Sequence, residues 1–467
     1  MKKIKDFIQE NKLILLILSL SLLIRLIFFF NYHQIWWDSA VYIGMGKYIF
    51  SLGKQGLWEP IRPIVWPIIL GFFWKLRLNP IFFGKLLINI MSFVIICLTF
   101  YITKKLYNEK TALIASVLVS FSSIFFFFGF RLYTEIPTLF FVLIAFYFYL
   151  KRRLFFTGFF LSLSFLTKFP AGIFFICFVS VILWKKQFKK MPFLFYGFIL
   201  PLLPYLILNQ SLYNNALFPF ISAIEIIKNV LGCTVLRKYG WYSYLFFILK
   251  DNILNLFVVL GIYYSAKKYR KDKILLILLL FLLPLLYFMQ LSCREHRYII
   301  LFLPFLSILT AQGILKFGKL KKQDFSKILI LTIIISLCFS LTYYLFNETR
   351  NPVQERENFY KFIEGQPILN EVWITNPIIN LYLTKKAYLL YYPVYDINTV
   401  FNFKQYLKYH NISYIFIDTC GGGMSCAPDD DACQGKTKEF IASFPKYGFW
   451  LVYNESFGNC SYQIFRK

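Results

Sequence analysis

Asp38 stands in the phrase QIWWDSAVY, Gln34–Tyr42, just after an unbroken apolar run, and Glu135 stands in GFRLYTEIPTLFF, Gly129–Phe141. A carboxylate at the edge of an apolar segment is costly unless it is paired or functional. Such a group can take a proton from an attacking hydroxyl. Three cations hold similar positions: Arg62 in WEPIRPIVWP, Lys168 in LTKFPAG and Arg297 in SCREHRYIILFLP. Any one of them reads as a snorkelling anchor. As a set they suit a phosphate, which Arg binds bidentately, and they could hold a phosphate leaving group as its charge develops. Purely structural roles compete at each position. Asp38 could cap a helix starting at Ser39, and Glu135 could pair with Arg131 or sit as a first-turn acid favoured by the helix dipole. Trp36, Trp37 and Trp58 read equally as an interfacial aromatic belt or as substrate walls.

These residues are positioned by a chain of 467 residues that is 58% hydrophobic and 21% aromatic. A soluble domain seldom exceeds about 50% apolar residues. The excess is gathered in runs, many near the roughly 18 residues needed to cross about 30 Å of hydrocarbon. Apolar segments fall at 13–31, 81–103, 111–128, 135–150, 154–167, 171–184, 192–208, 245–264, 274–291, 298–315 and 328–346. The reading is a polytopic α-helical membrane protein with about eleven transmembrane helices. The basic start MKKIK and the long apolar segment after it lack a small-residue cleavage site, so this segment reads as a retained first helix.

The net charge of +28, from 51 Lys+Arg against 23 Asp+Glu, is clustered between apolar runs. That distribution points to cytoplasmic loops and anionic lipid head groups, and away from nucleic acid. With the N-terminus cytoplasmic, Lys151–Arg153, Lys185–Lys190, Lys267–Lys273 and Lys316–Lys327 all fall inside. Asp38, Arg62, Glu135, Lys168 and Arg297 then share the outer face. Membrane-phase walls, carboxylates and cations together suit a lipid-phosphate-linked sugar.

Residues 1–346 form the expected membrane domain, with a long first outer loop at 32–80 that also holds Tyr42, Lys47, Lys54 and Glu59. Pro63–Leu76, apolar but too short to span, suits a helix lying at the interface. Residues 347–467 read as a small extracytoplasmic α/β domain. Helices are expected at 353–364, 376–384 and 398–410, and strands at EVWIT, AYLLYYP and ISYIFIDT. Cys420, Cys426, Cys433 and Cys460 form an even set suited to two disulfides in an oxidising space, with zinc the lesser alternative because their loop lacks paired CxxC knuckles, and Cys233 with Cys293 could form a third pair. N-x-S/T sequons begin at Asn209, Asn347, Asn411, Asn454 and Asn459, and each maps outside.

With these motifs in order, the chain resembles the GT-C superfamily of integral membrane glycosyltransferases. It is most like the branch of protein O-mannosyltransferases and aminoarabinose lipid A transferases. The family's acidic first-loop motif looks like Asp38 with Tyr42, although its usual second acid is Ser39 here. Its Arg-Pro phrase looks like Arg62-Pro63, its second-loop acid like Glu135, its Leu-Thr-Lys phrase like Leu166–Lys168, and its Arg-Tyr phrase like Arg297-Tyr298. The likeness covers about residues 1–315. It implies inverting transfer of a monosaccharide from a dolichyl- or undecaprenyl-phosphate donor to an acceptor hydroxyl, with Asp38 as general base. Arg62, Lys168, Arg297 and His296 would contact the donor phosphate. Glu135 would orient a site cation or bind the sugar, and Trp37, Tyr42, Arg131 and Tyr298 would line the substrate.

The resemblance implies no cofactor. Other GT-C branches hold a divalent ion between acidic loops, which leaves open a metal at Asp38 and Glu135. The expected partners are the lipid-linked donor, a glycan, lipid or protein acceptor, and membrane lipids. The expected location is the plasma membrane. Two rivals remain: a transporter or flippase of lipid-linked sugars, and a non-catalytic glycan-assembly factor.

Overall fold

The computed structural model describes residues 11–31, 33–229, 239–267, 272–291, 294–348, 357–389, 403, 407–419, 431–457 and 460–467. Apolar runs become helices because a bilayer offers the backbone no partner, so each N–H and C=O must be satisfied along the chain itself. Among the described residues, six helices are long and apolar enough to cross a membrane. They are Lys12–Phe29, Pro80–Leu106, Phe188–Tyr213, Lys273–Gln290, His296–Leu320 and Phe325–Glu348. Each falls on one expected segment.

The remaining five segments are shorter or broken. Glu135–Leu150, Leu154–Thr167 and Phe169–Trp184 fall below that length. Segment 111–128 divides at Ser122 into Glu109–Ser120 and Ser123–Phe128. Segment 245–264 divides at the extended residue Asn252.

By packing, the chain forms two units: Met1–His33, Lys85–Ile221 and Tyr239–Arg350 in the first, and Gln34–Gly84, Ser222–Lys238 and Asn351–Lys467 in the second. In the first unit, close helix packing rests on small residues. A Cβ at Gly158 would lie 2.0 Å from the Leu194 carbonyl, and one at Gly197 would lie 2.0 Å from that of Phe155. The two glycines therefore let Leu154–Thr167 and Met191–Tyr213 meet backbone to backbone, as membrane helices do. Asp251 closes the break at Ser122. Its Oδ1 accepts from Ser122 Oγ at 2.8 Å and from Ile124 N at 2.9 Å, which anchors the short helix leading to Arg131 and Glu135. Asn209 is buried, and its amide donates to the Ala216 carbonyl, so its sequon is not presented on an outer loop as expected.

The second unit is built on a five-stranded sheet: β1 Glu371–Ile374, β2 Ala387–Leu389, β3 Ile412–Asp418, β4 Trp450–Phe457 and β5 Cys460–Arg466. The order is β2-β1-β3-β5-β4, with β1 parallel to β2 and β3, and β5 antiparallel to β3 and β4. Strand alternation sends Val372, Ile374, Tyr414 and Phe416 to one face and Trp373, Ile415 and Ile417 to the other. The second face packs on Phe440 and Phe444 from Asp431–Ala442 and the turn after it. The first face takes Phe359, Tyr360 and Ile363 from Glu357–Glu364, together with Val41, Met45 and Leu57 from the first loop. A sheet buried on both faces reads as near-continuous apolar strands, and ISYIFID does so.

β1 and β3 match expectation, and β2 matches the start of AYLLYYP, whose residues 390–393 lie outside the described residues; β4 and β5 are further strands not expected from the sequence. The expected helix at 376–384 is the 3-10 turn Pro377–Tyr382, and most of 398–410 lies outside the described residues. Cys233, Cys293, Cys420 and Cys426 also lie outside them, as do the side chains of Cys433 and Cys460, and with them every expected disulfide. Pro63–Leu76 yields the helix Val65–Lys75, which buries Trp66 and Leu70.

Candidate functional site

In the second unit, the chain enters the helix Trp37–Phe50 from extended Trp36, which puts Asp38 in the first helical turn. The Asp38 side chain does not cap this helix, because the cap residue is Trp36 and no side-chain cap bond forms. Its Oδ1 lies 2.9 Å from Arg62 Nη1 instead. Arg62 Nε donates to Glu59 Oε2 at 2.7 Å, and the Arg62 amide donates to the Glu59 carbonyl at 3.1 Å, closing a turn. The guanidinium also lies 5.7 Å from the centre of the Tyr42 ring. Burial works against this charge, but Glu59, Asp38 and Tyr42 outweigh it and hold Arg62 well above the ordinary arginine range. Trp37 and Trp58 pack against the sheet core.

Glu59 had no assigned role in the sequence. It supplies a second acid close to Asp38, although Ser39 occupies the adjoining position. The signal was the spacing Glu59-x-x-Arg62, which suits a short-range ion pair.

Two features hold the Asp38 helix in place. A Cβ at Gly46 would lie 2.6 Å from the Gly71 amide nitrogen, so only glycine lets this helix approach Val65–Lys75 so closely. Lys47 is buried and donates to the carbonyls of Asn380 at 3.1 Å and Leu381 at 3.2 Å, tying the helix to the turn after β1. Burial pushes the Lys47 ammonium down from 10.5 to about 8. Between these values the unfolded chain holds a proton that the folded chain has released, so stability rises with pH across the window. The stability of the wild type relative to Lys47→Met should therefore grow by roughly 2–3 kcal/mol from pH 8 to pH 10.5. Thermal unfolding of both proteins in detergent checks this. Parallel pH profiles would sink it.

In the first unit, three turns distant in sequence converge on Glu135, which opens the helix Glu135–Leu150 and is fully buried. Its Oε1 lies 3.1 Å from Lys168 Nζ and 3.4 Å from Arg297 Nε. Lys168 sits in an extended break between Leu154–Thr167 and the turn Phe169–Ala171. Arg297 lies in the 3-10 turn before Leu303–Leu320. Aromatic rings wall both cations: Lys168 Nζ is 4.7 Å from the Tyr298 ring centre, and the Arg297 guanidinium is 4.5 Å from that of Tyr133. Glu135 Oε2 is buried without a hydrogen bond among the described residues.

The other expected members lie elsewhere in this unit. Arg131 pairs with Glu348, not Glu135, and donates to the Phe127 carbonyl at 2.7 Å. His296 turns into the protein, with Nε2 3.2 Å from the Phe247 carbonyl and Nδ1 3.4 Å from the Tyr343 hydroxyl. A histidine that the sequence did not single out, His33, stacks on Phe130 and lies 3.0 Å from the Tyr344 hydroxyl. Burial first, then Lys85 and Arg131, push its imidazole down to about 3, which keeps it neutral. Among the described residues, no three His, Cys, Asp or Glu side chains cluster as a metal site.

The structure is similar to that of ArnT from Cupriavidus metallidurans bound to undecaprenyl phosphate, with a TM-score of 0.66 and 11% identity over 97% of this chain and 98% of that one. It is also similar to the archaeal oligosaccharyltransferase AglB from Archaeoglobus fulgidus in complex with an inhibitory peptide and a dolichol-phosphate. There the TM-score is 0.58, with 11% identity over 88% of this chain and 70% of that one. At such identities the likeness is one of fold. No curated protein matches the chain in sequence. The model of one family, however, spans residues 58–395, well over half the length. The chain belongs to the Alg9-like mannosyltransferase family and is a membrane glycosyltransferase of the GT-C type.

Proposed function

We propose that the protein moves one sugar from a polyprenyl-phosphate monosaccharide to an acceptor hydroxyl on the extracytoplasmic side, with inversion. Asp38 accepts the hydroxyl proton as that oxygen attacks the anomeric carbon, and the lipid phosphate leaves with the electron pair of the broken bond. The observation that carries this reading is the Asp38–Arg62–Glu59 arrangement. Of the two carboxylates facing Arg62, Asp38 is the more accessible, at 13% exposure against 6% for Glu59. The Arg62 guanidinium, 2.9 Å from Asp38 Oδ1, fixes the orientation in which that carboxylate meets an acceptor hydroxyl. Arg62 thereby acts on Asp38, in addition to the phosphate role suggested by its motif.

Lys168 and Arg297 are the phosphate cations of this reading. Lys168 and Arg297 share one oxygen of buried Glu135, and Arg297 also lies 3.9 Å from Glu295 Oε2, so the carboxylates hold the two cations in place while their remaining N–H donors serve an anionic leaving group. The reading needs no divalent ion, since Arg62 already supplies the positive charge that Asp38 and Glu59 face. In the same reading, the five shorter or broken apolar segments complete eleven crossings. The N-terminus is then cytoplasmic and the sheet-bearing unit lies outside the plasma membrane, in line with the sidedness of the basic loops.

Arg297→Ala and Lys168→Ala should each weaken binding of undecaprenyl phosphate about tenfold, the worth of one charge-assisted hydrogen bond. Arg62→Gln should lower the transfer rate more than it lowers donor affinity, and Lys151→Ala should change neither. Titration of purified protein with the lipid, alongside initial rates with polyprenyl-phosphate mannose, measures all four. An equal effect at Lys151 would remove the proposed phosphate site.

A further inference from the structure

A second cationic site lies apart from the residues assigned to transfer. In the unit that carries the sheet, an open cavity of about 660 Å³ is lined by Ile43, Lys47, Trp74, Lys75, Arg77, Leu78, Asn79, Pro80, Ile81 and Leu381. Three of these side chains are cations and none is a carboxylate. Asp38, Glu59 and Arg62 do not line it.

The three cations are not equivalent. The Lys47 ammonium is taken up by the Asn380 and Leu381 carbonyls. Lys75 and Arg77 are exposed and have no ion-pair partner among the described residues. Asn79 Oδ1 accepts from Ile81 N at 2.9 Å and Phe82 N at 3.2 Å, so the first amides of Pro80–Leu106 already have a partner. An anion in this cavity is therefore a ligand for the Lys75 and Arg77 side chains, not for the helix end.

The surroundings specify what carries the anion. Ile68, Phe72 and Leu76 recur every fourth residue along and just beyond Val65–Lys75, and all three are exposed. Phe82, in the first turns of the membrane-crossing helix Pro80–Leu106, is exposed as well. Exposed apolar side chains along Val65–Lys75 and at Phe82, neighbours in sequence of the cavity residues Trp74–Ile81, suit a molecule with an anionic head and hydrocarbon tails. Trp74 belongs at the same depth, where its indole can lie among head groups.

We propose that this cavity binds the anionic head group of a bilayer glycerophospholipid. The phosphate lies between Lys75 and Arg77, and the acyl chains run along Ile68, Phe72, Leu76 and Phe82. The site fixes the junction between the interfacial helix and the membrane-crossing helix at head-group depth. It stands independently of the transfer reaction.

Native mass spectrometry of the full chain in detergent tests the site, with phosphatidylglycerol, phosphatidylcholine and undecaprenyl phosphate as probes. Phosphatidylglycerol should bind about thirtyfold more tightly than phosphatidylcholine, since two basic residues face a net charge that phosphatidylcholine lacks and each contributes about fivefold. The double variant Lys75→Gln/Arg77→Gln should lose that preference, and Lys75→Arg/Arg77→Lys should keep it. Both positions are exposed, and the charge-keeping variant controls for any effect on folding. An unchanged preference in the Gln variant overturns the site. So does a variant that loses undecaprenyl phosphate while retaining phosphatidylglycerol, because the occupant would then be a polyprenyl lipid.

Discussion

Asp38→Asn should lower the rate of sugar transfer by about 10²–10⁴-fold, the usual contribution of a positioned general base. The substitution is well suited to isolate chemistry from folding. Asn keeps the size of the side chain and an oxygen that can accept from Arg62, while removing the basicity. Arg62 keeps Glu59 at 2.7 Å as a counter-charge, so no orphaned cation confuses the result. Donor affinity should stay close to that of the wild type, because in the proposed reaction Asp38 acts on the acceptor hydroxyl. Single-turnover transfer from polyprenyl-phosphate mannose, measured beside donor binding, separates the two quantities. Transfer at the wild-type rate would eliminate Asp38 as the base.

Glu135→Gln should have its largest effect on stability, with a loss of about 3 kcal/mol. Removing one partner of a buried ion pair typically costs about 3–5 kcal/mol, because the remaining charge is stranded. The lower end applies here, since Lys168 and Arg297 keep 13% and 15% exposure, so solvent still reaches both cations. Adding Lys168→Gln to Glu135→Gln should recover part of the loss, as one of the stranded charges is removed. Lys168→Gln alone should cost less, because Arg297 still faces the carboxylate. Unfolding midpoints of the three variants in detergent form the test. A Glu135→Gln protein as stable as the wild type would mean that the cluster is hydrated and its charges are screened.

Several parts of the architecture are legible in the residue order for local reasons. Long apolar runs report helices, because a run of that length can satisfy its backbone inside a bilayer in few other ways. Six of the eleven segments form helices of crossing length, each beginning and ending near the expected positions. The near-continuous apolar runs in EVWI and ISYIFID report strands buried on both faces. β4 carries no alternating signature at its start, where Trp450, Leu451 and Val452 are consecutive apolar residues and all are exposed. In segment 245–264 hydropathy stayed high through a break at Asn252, whose side chain donates to Ser336 and whose backbone is extended. A hydropathy window averages over such a residue.

The sequence by itself determined which side chains were available for chemistry: carboxylates and cations at the ends of apolar segments, where a charge is too costly to keep without use. Only the tertiary structure decided which of them meet. Glu135 was as close in sequence to Arg131 as an ion pair requires, yet its partners are Lys168 and Arg297, while Arg131 reaches Glu348, 217 residues away. Asp38 lacked a neighbouring acid at Ser39 and acquired one at Glu59 through Arg62. Lys47, an ordinary loop lysine by position, holds the Asp38 helix to a turn 333 residues further on. The physical reason is common to all three. Local periodicity records which face of an element is apolar, whereas the choice of partner for a buried charge depends on desolvation and Coulomb energy among groups that only the folded chain brings together.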